Sequence, residues 1–281
     1  MRLISLLLLL FATACNPSTS EADAATTAQL QRQVRDLVTA LTPPPATANS
    51  AVRNEWFARR KDQIKTLNTA GEALGLAVLD EFQAHPEAPL DVQRGLLEVA
   101  SRNLPEVMRP VLTELVLEYG GDNLGLRTKA CELLAETSPQ EAFDLLAPLI
   151  TERRSGRTLP PDEIMVSSYS TAARLSGSDP VPVLSTIAAD LFSEQTARLM
   201  AVKELAKHAG VRSRETLRTV LVESTGNAYL RRAAAQAIVA HAKVDSDTEA
   251  QLCAILDEVM NKESDVNFQS FLISIIEKNC L

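Results

Sequence analysis

Apolar residues recur along this chain at helical spacing. Leu30, Val34, Leu37, Val38 and Leu41 fall at i, i+4, i+7, i+8 and i+11, one stripe of an amphipathic helix. Thr42-Pro43-Pro44-Pro45 ends it, because proline lacks the amide hydrogen that a helix needs and favours extended geometry. Residues 42–50 therefore read as a semi-rigid spacer. Helices are predicted over 51–69 and 72–84, closed by Gly71 and by His85-Pro86. Farther on, Val111, Leu112, Leu115, Val116 and Tyr119 make one stripe, and Phe143, Leu145, Leu146, Leu149 and Ile150 another. Leu104-Pro105, Ser138-Pro139 and Asp179-Pro180 put proline where the first turn of a helix tolerates it.

A motif recurs from about residue 88. Leu126-Arg127-x-x-Ala130-x-x-Leu133 is matched by Ala197-Arg198-x-x-Ala201-x-x-x-Leu205 and Leu230-Arg231-x-x-Ala234-x-x-x-Ile238, with a weaker copy at Gln93-Arg94-x-x-Leu97-x-x-Ala100. Arg94 to Arg127 is 33 residues and Arg198 to Arg231 is 33 again; the gap of 71 between Arg127 and Arg198 holds two periods with an insertion. A degenerate copy, Met165 to Ala173, lies in that gap beyond the loop 155–161, and Asn267 to Leu272 opens a last one. Each copy is followed, after a turn, by a second apolar-periodic helix. Paired helices at a period in the thirties, with degenerate terminal copies, predict an all-α fold, an α-solenoid of antiparallel helix pairs. The recurrent alanine lets helices approach closely and the leucine fills the space beside it.

Over residues 88–281 this pattern, running from Asp122 through Arg127, Ala130 and Leu133, resembles HEAT-like repeats. The resemblance implies that Arg94, Arg127, Arg198 and Arg231, one turn earlier and near acids such as Asp122 and Glu194, make ladders between repeats. Their regular spacing gives these arginines a packing role rather than a ligand.

Composition agrees with helices: of 281 residues, 46% are hydrophobic, 4% aromatic and only 10 are glycine. The charge of −8 removes the electrostatic footprint of a general nucleic-acid binder. The N-terminus changes the picture further. Arg2 precedes the apolar run Leu3 to Phe11, too short to span a bilayer, which takes about 20 residues, but of the length of a signal-peptide core. Ala12-Thr13-Ala14-Cys15 follows and resembles a bacterial lipobox, with Ala12 where leucine is usual. The resemblance implies cleavage after residue 14 and lipidation of Cys15; the plain alternative is an Ala12-x-Ala14 cleavage site with an incidental cysteine. Residues 15–27 then form a lipidated, polar tether. Asn16 after the cysteine implies the outer membrane over the inner. Loss of Arg2 takes the mature charge to −8 − 1 = −9. The chain is thus divided into leader 1–14, tether 15–27, N-terminal helices 28–87 and repeat array 88–281.

Little of the sequence points to chemistry. His85, His208 and His241 stand far apart, with no metal-ligand spacing, and no nucleotide-binding or nucleophile-elbow motif occurs. No cofactor, metal or catalytic residue is expected. Cys131 and Cys253 are expected as buried thiols. A Cys253–Cys280 bridge stays open, since antiparallel helices turning near Glu263 would leave the two about 10 Å out of step at 1.5 Å per residue. Trp56, Phe57, Arg59 and Arg60 form the one dense cluster of aromatic and basic residues, a solvated helix face or, as exposed Trp and Arg suggest, a partner contact. The expectation is a non-enzymatic binding or scaffolding lipoprotein, held at the membrane through Cys15 and facing a periplasmic protein. A structural link or assembly factor of an envelope complex, and an enzyme subunit with an unrecognised site, are the alternatives.

Overall fold

The computed structural model describes residues 21–117, 124–151, 163–224 and 226–280. The leader, Cys15, the tether as far as residue 20, Tyr119, Asp122 and the loop 155–161 lie outside them. Among the described residues every regular element is a helix and there are fourteen, so the fold is all-α and solenoid-like. No helix among them is long and apolar enough to cross a membrane. The chain divides into two compact units, one ending at Asn103 and one beginning at Leu104.

The first unit holds α1 (Glu21–Leu41), α2 (Ser50–Leu67), α3 (Glu72–Ala84) and α4 (Leu90–Asn103). The stripe expected on α1 is the buried one: Val34, Leu37 and Leu41 pack inward, and α1 contacts all three of the others. Leu41 sits directly over Gly95 of α4, where a Cβ would come within 2.2 Å of its Cδ2. A side chain at position 95 would have to push Leu41 aside. The α2–α3 turn is pinned from α4. Asn103 Nδ2 donates to the Leu67 carbonyl at 2.7 Å, and its Oδ1 accepts from the Gly71 amide at 2.7 Å. Gly71 has φ +97°, a conformation open to glycine but strained for other residues. The motif copy around Arg94 lies in α4.

The second unit runs α5 (Pro105–Leu117), α6 (Leu124–Thr137), α7 (Pro139–Thr151), α8 (Glu163–Ser176), α9 (Val181–Ala189), α10 (Gln195–Leu205), α11 (Val211–Glu223), α12 (Ala228–Ala242), α13 (Ser246–Lys262) and α14 (Val266–Asn279). Each odd-numbered helix packs on the even-numbered one after it. The even helices also pack in succession from α6 to α14, and α7, α9, α11 and α13 do likewise. Two rows of helices result, with the apolar stripes between them. Leu112, Val116, Leu146 and Ile150 are buried there, as are the recurrent alanines Ala130, Ala201 and Ala234. Pro105 and Pro139 open α5 and α7, as the proline signals predict.

The C-terminal pair corrects one expectation. Cys253 is not a free thiol: it is bonded to Cys280, with Cα atoms 5.8 Å apart. The shortfall of about 10 Å disappears because the link between α13 and α14 is not a tight turn. Glu263 and Asp265 are both extended, and each extended residue advances about 3.3 Å, so α14 starts beyond the end of α13 and its C-terminus comes level with Cys253. Cys131 is a buried thiol outside the disulfide, as expected.

Candidate functional site

Three of the four motif arginines meet the end of the helix that precedes their own. Arg127 Nε donates to the Val116 carbonyl at 3.0 Å, Arg198 Nε to Ala188 at 3.1 Å and Arg231 Nε to Leu221 at 2.8 Å. These carbonyls lie in the last turns of α5, α9 and α11, where a helix has no internal donors left and a cation also meets the negative end of the dipole. All three arginines are buried. Two of them reach on to the next odd helix: Arg198 Nη2 donates to Ser224 Oγ, the cap of α11, at 2.9 Å, and Arg231 Nη1 meets Glu263 Oε2, of the cap of α13, at 2.5 Å. The arginines thus bridge the C-terminal ends of neighbouring odd helices. The acid expected beside Arg198 was Glu194; the one whose charge it feels is Asp190. Burial lowers the Arg198 pKa and Asp190 partly offsets this. Arg231 also lies 4.1 Å from the centre of the Phe268 ring.

Above this bridged row lie the turns from odd to even helices, and they carry exposed apolar side chains. Leu191 and Phe192, between α9 and α10, are 59% and 83% exposed; Tyr229, at the start of α12, is 75%; Val266, at the start of α14, is 71%. The turns are tied together. Gln195 Nε2 donates to Asn227 Oδ1 at 3.2 Å, and the Arg231–Glu263 pair joins the start of α12 to the α13–α14 link. Between these last two lies a cleft of about 440 Å³, lined by Val222, Gly226, Ala228, Arg231, Glu263 and Asp265 among others. Burial raises the Glu263 pKa, but the amides of Asp265 and Ser264 and the Arg231 guanidinium outweigh it and hold the carboxyl below its ordinary value. Nearby Glu258 is lowered by Lys262 and Arg218. Glu263 and Glu258 are therefore fixed negative charges at neutral pH.

The cluster singled out in sequence is placed differently. Trp56 is 7% exposed and turned into the first unit, so it is not the exposed anchor expected; its indole Nε1 is buried with no protein partner. The reason is periodicity: Trp56, Ile64 and Leu67 share one face of α2, and that face is the buried one. Arg60 packs 5.7 Å from the Trp56 ring and 3.8 Å from Asp91. Phe57 is 54% exposed, and Arg59 is exposed and 3.9 Å from Glu55.

The histidines are separate. His85 caps α3 between Glu81 and Glu87, and buried His241 donates from Nε2 to the Leu205 carbonyl at 2.9 Å. Among the described residues no cluster of metal-ligating side chains occurs. The exposed turn residues escaped the sequence reading because an apolar pair at a helix break looks like the end of a core stripe. The available signal was that Leu191-Phe192 follows Asp190, whose carboxylate accepts from the Phe192 amide and Ser193 hydroxyl and so makes a turn. Comparison of the chain with protein-family models, with curated proteins and with solved structures finds no match.

Proposed function

We propose that this chain is a protein-binding, scaffolding lipoprotein of the bacterial cell envelope, anchored at Cys15, with a HEAT-like array that docks a periplasmic protein. The observation that carries the reading is the run of Leu191, Phe192, Tyr229 and Val266 along successive turns of the second unit. Exposed aromatic residues on a fixed frame are what an interface uses to gain contact area with little loss of freedom. The buried arginines supply the frame. The Cys253–Cys280 bridge suits an oxidising compartment, in keeping with export.

The test is photo-cross-linking in intact cells from Phe192 and Tyr229, with Val244, exposed at the α12–α13 turn, as the comparison position. The same protein captured from Phe192 and Tyr229 but not from Val244 supports the reading. Equal capture from all three, or capture from none, overturns it. Retention of a Cys15→Ala variant at the membrane overturns the anchor alone.

A further inference from the structure

Helix α2 carries charge unlike the rest of the chain. It holds Arg53, Arg59, Arg60, Lys61 and Lys65 against Glu55 and Asp62, a net 5 − 2 = +3 within a chain of −8. Its outer surface is ordered. Arg53, Phe57, Lys61 and Lys65 recur every fourth residue and all four are exposed; the row winds through about 120° and is centred roughly 90° round the helix from the buried Trp56, Ile64 and Leu67. At 1.5 Å per residue the row is about 18 Å long. Glu55 and Asp62 lie roughly 130° round the helix from its centre. Among the described residues neither Lys61 nor Lys65 has a carboxylate within ion-pair distance, while Arg53 donates to the Ala46 carbonyl.

We infer that this row is a membrane-contact face that adsorbs on anionic lipid headgroups. The inference rests on the anchored reading above for its setting. A row of exposed bases with an aromatic ring in it, turned away from the helix's two acids, complements a plane of negative charge. Lysine stems lie along such a surface while their ammonium groups reach the phosphates, and a half-exposed phenyl ring settles at headgroup level. Reach agrees. Helix α1 begins six residues after Cys15, which bounds the separation to roughly 20 Å of extended chain. The start of the first unit is therefore held close to the bilayer.

The experiment is co-sedimentation of the full-length chain, made by cell-free synthesis and so without lipid at Cys15, with phosphatidylcholine vesicles with and without phosphatidylglycerol. Each base near an anionic surface strengthens partitioning about fivefold. Lys61→Gln/Lys65→Gln should therefore weaken binding to the anionic vesicles about 25-fold, and high salt should do the same. Arg212→Gln/Lys243→Gln, on exposed positions of the second unit, makes the same change in net charge and should leave binding within about twofold of the parent. Any attraction of residues 3–11 for lipid is common to all variants and both vesicles. Equal partitioning on the two vesicle types, or an equal loss in the control pair, overturns the inference. So does a protein cross-linked in cells that Lys61→Gln/Lys65→Gln releases while vesicle binding is unchanged. Because the chain tested carries no lipid, failure here leaves the Cys15 anchor standing, and failure of the Cys15→Ala test leaves this result standing.

Discussion

Removing the Arg231 side chain should destabilise the second unit far more than a surface change does. Arg231 and Glu263 are 8% and 6% exposed as side chains and 2.5 Å apart. Arg231→Met leaves the Glu263 carboxylate without its guanidinium and the Leu221 carbonyl without its donor. Orphaning one member of a buried pair costs 3–5 kcal/mol, and the lower end applies because Glu263 Oε1 keeps the amides of Ser264 and Asp265, each at 2.8 Å. The lost bond to a carbonyl adds about 1 kcal/mol. The expected loss is therefore about 4 kcal/mol, or roughly 10 °C in the melting temperature of a unit of this size. Arg231→Met/Glu263→Gln removes the stranded charge and should lose only about 1–2 kcal/mol. Urea unfolding followed by circular dichroism measures both. If the double variant is no more stable than the single one, or Arg231→Met loses less than about 1 kcal/mol, the bridge is not what holds these helix ends.

Acid should weaken the same region. Glu263, Glu258 and Asp245, the last held mainly by the Thr248 hydroxyl, all titrate below their ordinary values of 4.5, 4.5 and 3.8. The folded state thus binds these protons less readily than the unfolded chain. Their stabilisation is complete above the ordinary values and is lost as pH falls through the lowered ones. The urea midpoint should be flat from neutral pH to about 5 and drop below it, with a smaller drop in Glu263→Gln. Opening the disulfide with Cys253→Ser/Cys280→Ser, positions separated by 27 residues, should cost about 3.5 kcal/mol on the chain-entropy relation; an unchanged melting temperature would contradict it. Gly95→Ala should lower stability by about 1–2 kcal/mol despite alanine's better helix propensity, because the fully buried Leu41 side chain must shift within the core to admit the new methyl group.

Most helices and buried stripes were legible residue by residue, but α1 begins at Glu21, inside the stretch 15–27 read as a polar tether, because its alanines and small polar residues can carry a helix without an apolar stripe to announce it. The spacing of Leu30 to Leu41 and the prolines that follow decide where α1 ends and which side it buries, because hydrophobic periodicity and proline geometry act over a few residues. The recurrence of Arg127, Arg198 and Arg231 marked positions with a common role for the same reason. What those guanidiniums touch was decided only in three dimensions. The carbonyls of Val116, Ala188 and Leu221 become acceptors when a neighbouring helix ends beside them, and every residue has a carbonyl, so no side-chain pattern announces that geometry. Trp56 went inward because three apolar residues on one face of α2 outweigh its adjacency to arginines, and Cys253 met Cys280 because a three-residue link chose extended rather than turned backbone. Contacts of that kind are settled by how helices pack against one another, which depends on the whole chain at once.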